Sequence, residues 1–363
     1  MIPDMDALRS AADTVLKAVP AGIAQGKIGA GLYGLGFVGR WALSYLKRRG
    51  VRLVSGYDAA SAAIGAALDG LPVRTPDGLT SARPDFMFIS ARHAVREISA
   101  RLSGLGIAHV SVDAWHAASD FDSFRHVHDD LLSDDRSRAV LRAVMMTMLS
   151  GNARWCAMVF EKDQYFALPR FCTPTGEIYV DAGAFVGDSV ERFIFANNGV
   201  FSKIFAFEPG PRQFAALEAR TRRLVAEWAR DPADIELVNA ALGEGRGSLA
   251  AASASGQLTS LALRDKARTD GVSVEVVGLD DFLKGGRVTF LKADVEGMEM
   301  ALLRGAQATI RRQKPKIAIC VYHYPSDIPA IANYLAGVVP DYRFALRHHS
   351  PMFMETVLYC WVE

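Results

Sequence analysis

The sequence predicts an α/β protein built from two parallel-sheet domains, and two observations carry that reading. One theme, an apolar strand, a glycine-rich turn and an amphipathic helix, occurs twice. It appears at Ile28–Tyr33 with GLGFVG (34–39) and a helix ending at Gly50, and again at Glu177–Val180 with DAGAFVGD (181–188) and a helix ending near Gly199. The chain also ends in two alternating stretches, Tyr342–His348 and Thr356–Val362, which read as an antiparallel hairpin closing the second sheet.

The elements follow in order. Residues 1–26 read as an N-terminal helical segment and 27–116 as the first domain. About four strands are expected there, with Arg52–Gly56, Asp85–Ser90 and His109–Val112 following the first, and a helix over Ala91–Leu105. Residues 117–174 read as a helical connector, whose apolar run AVLRAVMMTML is expected to pack between domains with methionine as flexible filler. The second domain, 175–363, opens with the spacing Asp188-Ser-Val-Glu191, which resembles a capping box. Strands are expected at Ile204–Phe207, Ile235–Ala241, Val272–Val277, Val288–Ala293 and Lys316–Tyr322. One helix carries Leu302, Leu303, Ala306 and Ile310 and must stop before Pro315.

Composition excludes several classes. Lys plus Arg number 41 and Asp plus Glu 40, so no basic excess marks a nucleic-acid binder. The basic clusters Arg220–Arg223 and Arg311–Lys316 read as solvated helix faces. No apolar run reaches the length of a membrane span. The start MIPDMDALRS has acids where a signal peptide needs a basic end, and Cys156, Cys172, Cys320 and Cys360 lack CxxC spacing. A cytoplasmic location, with neither a zinc site nor a disulfide framework, is therefore expected.

The chemistry-bearing residues cluster in the second domain. A glycine turn such as Asp181-Ala-Gly183-Ala184-Phe-Val-Gly187-Asp188 lets a ligand approach backbone at a helix start. Glu208 lies 25 residues after Gly183, where an acid at the end of the next strand can receive both ribose hydroxyls. The D-x-G-x-x-x-G spacing lacks the compact pyrophosphate turn and sets acids on both sides, which suits a cationic, phosphate-free adenosine ligand such as S-adenosylmethionine. Lys292, Asp294 and Glu296 in FLKADVEG should reach the same cleft, with Glu296 alternatively a helix cap. His323, just past the strand Lys316–Tyr322, is placed to accept a proton or to serve as structure.

These stretches resemble the FkbM family of S-adenosylmethionine-dependent methyltransferases. The matching pieces are YVDAGAFVGDS (179–189), IFAFEPGP (204–211), VNAALG (238–243), VVGLDDF (276–282), FLKADVEGMEMALLRGA (290–306), PKIAICVYHYP (315–325) and ETVLYCW (355–361), with DQYF (163–166) ahead of them. The resemblance implies a class I methyltransferase fold of seven strands with a closing hairpin. It implies methyl transfer, usually to a hydroxyl of a sugar, glycan precursor or secondary metabolite. By position it implies that Asp181, Gly183, Ala184, Gly187 and Asp188 meet the methionine and adenosine parts and that Glu208 holds the ribose. Asn239 and Ala240 would border the adenine, and Asp294, with Glu296 nearby, would lie near the transferring methyl. Either His323 or Asp294 would take the proton, and acids cluster there without a spacing that identifies a metal.

The first domain carries Gly34-Leu-Gly36-Phe-Val-Gly39 after a strand and Asp58 after the next, which satisfies the dinucleotide fingerprint and resembles small Rossmann-like domains of sugar-modifying enzymes. No Tyr-x-x-x-Lys dyad follows. A nucleotide-binding or vestigial module is expected. A nicotinamide-dependent nucleotide-sugar reductase or epimerase, or a non-catalytic sugar-nucleotide-binding protein, is the alternative function.

Overall fold

A computed structural model describes residues 2–80, 83–251, 263–264 and 272–363 of the 363-residue chain. The Ala/Ser-rich patch that begins at Ala250 lies mostly outside the described residues.

The first sheet has six strands: β1 (Gly29–Tyr33), β2 (Arg52–Tyr57), β3 (Ala67–Leu68), β4 (Leu71–Arg74), β5 (Phe86–Ile89) and β6 (His109–Ser111), in the order β3-β4-β2-β1-β5-β6. This corrects the expectation of four strands. The extra pair is a short antiparallel hairpin across Asp69-Gly70, both at positive φ (47° and 79°), as a type I′ turn requires. The Asp-Gly pair was the readable signal.

The second sheet has seven strands: β7 (Glu177–Ala182), β8 (Phe201–Phe207), β9 (Ile235–Val238), β14 (Phe290–Ala293), β15 (Lys316–Cys320), β16 (Arg343–His348) and β17 (Thr356–Trp361). Their order is β16-β17-β15-β14-β7-β8-β9, parallel except for β17, which runs antiparallel to both neighbours. β7, β14 and β15 are buried almost throughout, as expected where both faces are covered.

Three local expectations change. The stretch Ile235–Ala241 breaks after Val238, and β10 (Ala241–Gly243) instead joins β13 (Val272–Gly278) in a separate sheet with β11 (Gly247–Ala251) and β12 (Leu263–Arg264). The helix after β14 is two helices, Glu299–Gly305 and Gln307–Gln313, divided at Ala306. The capping box at Asp188 is not formed: the N-cap of helix Asp188–Ala196 is Gly187 in the left-handed region, with no side-chain cap. Val190, Phe193 and Ile194 of that helix are buried, as the periodicity indicates.

Helix Asp135–Ser150 packs Val140, Leu141, Val144, Met145 and Met148 into the core beside β16. Asp134 caps it by accepting from the Ser137 N–H (2.8 Å) and pairs with Arg347 on β16 (3.2 Å). Although burial opposes ionisation of Asp134, those partners hold its carboxyl below the ordinary range. The two sheets meet near the carboxyl end of β15. There Phe37 stacks on Tyr324 (centroids 4.8 Å), and Arg92, paired with Asp113, donates to the carbonyls of Tyr322 (2.5 Å) and His323 (3.1 Å).

Candidate active site

Strand order reverses between β7 and β14, so the crevice opens at the carboxyl ends of these strands. A cavity of about 320 Å³ lies there, the size of a small-ligand site. Its wall includes Gly183, Asp188, Glu208, Ala240, Asp294 and Glu296 of the predicted residues, brought together from four separate segments.

Gly183 sits at φ 79°, and a Cβ there would lie 1.9 Å from the Asp294 carbonyl oxygen. Only glycine allows the turn and the strand end to approach this closely. Glu208 accepts from the backbone N–H of Phe185 (2.9 Å) and of Gly210 (2.7 Å). Burial pushes its carboxyl up to about 7 against those two donors. With two oxygens and about four lone-pair directions, it retains capacity for further donors.

Four predicted ligand contacts are placed behind the wall instead. Asp181 is fully buried, 3.0 Å from the Lys292 ammonium, and accepts from Ser189 (2.6 Å). Lys292 in turn donates to the Gly183 carbonyl at 2.7 Å. The Asp181 carboxylate therefore shapes the turn through Lys292 rather than lining the cavity. Ala184 is buried, its N–H bonded to the Phe207 carbonyl, and Gly187 faces Leu217, where a Cβ would meet the side chain at 2.9 Å. The Asn239 amide donates to the Glu208 carbonyl (2.8 Å), fastening the end of β8.

Asp294 is the cavity's central acid. It accepts from the phenols of Tyr165 (2.8 Å) and Tyr322 (3.4 Å). Sequence reasoning singled out neither tyrosine, although DQYF and YHYP contain them. Tyr165 lies in the left-handed region (φ 69°) and is held by a relay. Its N–H donates to the Tyr359 hydroxyl (2.9 Å), which sits 3.0 Å from His349 Nε2, while His349 Nδ1 reaches the Glu161 carbonyl (3.0 Å). A carbonyl only accepts, so the proton is assigned to Nδ1 and the Tyr359 hydroxyl donates to Nε2.

His323 stands apart from the cavity wall. Its ring is buried and does not line the 320 Å³ cavity, which Tyr322 does. Nδ1 is 3.1 Å from Glu299, and Nε2 is 3.6 Å from both Asp294 and Glu296. Burial alone would lower its pKa, but Glu299, Glu296 and Asp294 together raise it well above the ordinary value. The ring is thus surrounded by three carboxylates outside the cavity wall. Glu296 is not the helix cap. Glu299 accepts from Val295 (3.0 Å) and Gly297 (3.4 Å), while Glu296, at φ 52°, turns toward the cavity. Behind this cluster burial and the Glu299 charge push Asp327 up to about 7.

In the first sheet the fingerprint residues take the expected backbone positions. Gly34 is at φ 93°, and a Cβ on Gly39 would lie 2.1 Å from the Gly34 carbonyl oxygen, while Gly36 faces open space. Asp58, however, already accepts from Leu35 (2.6 Å) and Ala60 (2.8 Å), and Phe37 at the helix start packs on Tyr324. The turn thus docks one domain on the other.

Comparison with known proteins agrees with this architecture. A methyltransferase FkbM from Methylobacillus flagellatus KT superposes with a TM-score of 0.61 at 23% identity, covering 98% of this chain and 98% of its own. An rRNA methylase from Streptococcus thermophilus aligns at a TM-score of 0.33 and 14% identity, over 57% of this chain and 92% of its own, too low to carry an argument. No curated protein sequence matches the chain. Residues 181–345, a little under half of the chain, match the family described as the Methyltransferase FkbM domain.

Proposed function

We propose that this protein transfers a methyl group from S-adenosylmethionine to a hydroxyl oxygen of a small acceptor, a sugar or glycan precursor or a secondary metabolite. The observation that carries the reading is the single cavity in which the glycine turn, the Glu208 carboxylate and Asp294 meet. The residues fit the donor molecule: Glu208 would hold the ribose hydroxyls, Gly183 and Asp188 the amino-acid end, and Ala240 to Leu242 the adenine face. When bound, it supplies an electrophilic methyl on a sulfonium, which the acceptor oxygen takes while the bonding pair stays on sulfur. Asp294 receives the hydroxyl proton, and the Tyr165 and Tyr322 phenols fix the direction of its oxygens. Much of the rate then comes from alignment of oxygen, methyl and sulfur.

The first domain is read as a docking module that retains a nucleotide-type turn, and the four unpaired cysteines suit a cytoplasmic setting. Among the described residues no helix is long and apolar enough to cross a membrane. Calorimetry with S-adenosylmethionine and its demethylated product tests the proposal. One site per chain, weakened at least about tenfold by Glu208→Ala, is expected from a lost charge-assisted pair of hydrogen bonds. No heat with either compound refutes it.

A further inference from the structure

We propose that the acids Asp294 and Glu296 on the wall of the methyl-transfer cavity, with Glu299 and His323 beside them, form a site for one divalent cation of the magnesium or manganese type. Asp294, Glu299 and His323 each offer a ligand atom, and these atoms lie within 4.8 Å of one another. Ligand atoms on one octahedral ion lie about 3–4 Å apart for metal–ligand distances of about 2.0–2.2 Å, so a small side-chain adjustment closes these three around one ion. The Glu296 carboxylate, 3.6 Å from His323 Nε2, is the fourth group facing the same point.

Two observations separate this cluster from an ordinary acidic surface. Two of the four groups are not solvated: the side chains of His323 and Glu299 are 4% and 2% exposed. Neither ring nitrogen of the buried His323 makes an aligned hydrogen bond, although both point into the carboxylates. The charges also do not balance. Three carboxylates face one imidazole, with Asp327 buried behind them. The adjacent cations are committed elsewhere, Arg92 to Asp113 and two carbonyls, and Lys292 to Asp181. Like charges this close, with Glu299 and His323 buried, favour a further cation. Carboxylate oxygens with one imidazole suit manganese or magnesium better than a thiolate-preferring metal.

The site itself is independent of the methyl-transfer reading; its use rests on that reading. Asp294 belongs to both the cluster and the cavity wall, so an ion there meets an acceptor hydroxyl and lowers its pKa. A carboxylate alone is a weak base for an alcohol, and the ion removes that difficulty. Vicinal hydroxyls of a carbohydrate would chelate it, which narrows the acceptor class to diols.

The test is titration of the chelator-dialysed full chain with manganese chloride, with neither methyl donor nor acceptor present, followed by electron paramagnetic resonance of the free ion. One bound Mn²⁺ per chain is expected, displaced by excess Mg²⁺. His323→Ala and Glu296→Gln should each weaken it by about tenfold or more. Glu296 is half-exposed, so its variant keeps the comparison valid if His323→Ala does not fold. Absence of binding at millimolar Mn²⁺, or equal binding by Glu296→Gln and wild type, overturns the site. Intact Mn²⁺ binding together with methyl transfer indifferent to chelator overturns the role in acceptor activation.

Discussion

The buried pair Lys292–Asp181 sustains the cofactor turn, and replacing Lys292 by Met tests that directly. The lysine side chain is 2% exposed and the aspartate 0%, with the ammonium 3.0 Å from one carboxylate oxygen. Methionine matches much of the lysine's length and removes the charge, leaving Asp181 with Ser189 as its remaining polar side-chain partner. Stripping one member from a buried pair costs about 3–5 kcal/mol, because the other charge stays desolvated. Replacing both, as Asp181→Asn with Lys292→Met, removes that charge and should recover most of the loss. Urea unfolding followed by tryptophan fluorescence and circular dichroism together measures this, since a two-domain chain need not unfold in one step. The donor site should weaken too, because the Gly183 carbonyl loses its 2.7 Å donor. The pair's contribution should survive mild alkali. Burial lowers the lysine's pKa, but Asp181 and Asp294 raise it above the ordinary 10.5, so the contribution is complete below 10.5 and lost only above it. A Lys292→Met loss under about 1 kcal/mol, or a double variant as weak as the single one, refutes the reasoning.

Other expectations follow from single positions. Gly183→Ala places a Cβ 1.9 Å from the Asp294 carbonyl oxygen at φ 79°, so it should cost about 3 kcal/mol or more and abolish donor binding, read by thermal melting and calorimetry. Tyr165→Phe removes the 2.8 Å donor to Asp294; kcat should fall about tenfold or more with donor affinity within about twofold, and an unchanged kcat would release Tyr165 from the site. Glu208, pushed up to about 7, must ionise to accept ribose hydroxyls, so binding expels a proton. Affinity for S-adenosylmethionine should therefore rise with pH through about 7 and lose that dependence in Glu208→Gln. Burial lowers His349 from 6.5 to about 4, so its neutral form contributes roughly 3 kcal/mol above pH 6.5, lost as pH falls toward 4; a proton-resonance titration should show the ring neutral at pH 5.5.

By itself the sequence determined the α/β architecture with its two large, mostly parallel sheets, the closing hairpin and the two glycine turns. These are local signals: alternation marks the hairpin, and each turn opens where a strand flows into a glycine at positive φ, as at Gly34 and Gly183. Glu208 was legible because the step from one parallel strand to the next has a regular length. The tertiary structure decided what each polar group meets. Asp181 looked like a ligand contact, yet β14 lies beside β7 in register and sets Lys292 against it. His323 read as a base or as structure, and the three carboxylates around it come from a loop and a helix start that the chain brings to its strand end. Tyr165 was passed over because its importance rests on contacts with Asp294, 129 residues away, and Tyr359, 194 residues away. A residue's chemistry is set by the charges and donors within a few ångströms, and spacing along the chain carries that information only where neighbours in space are also neighbours in sequence.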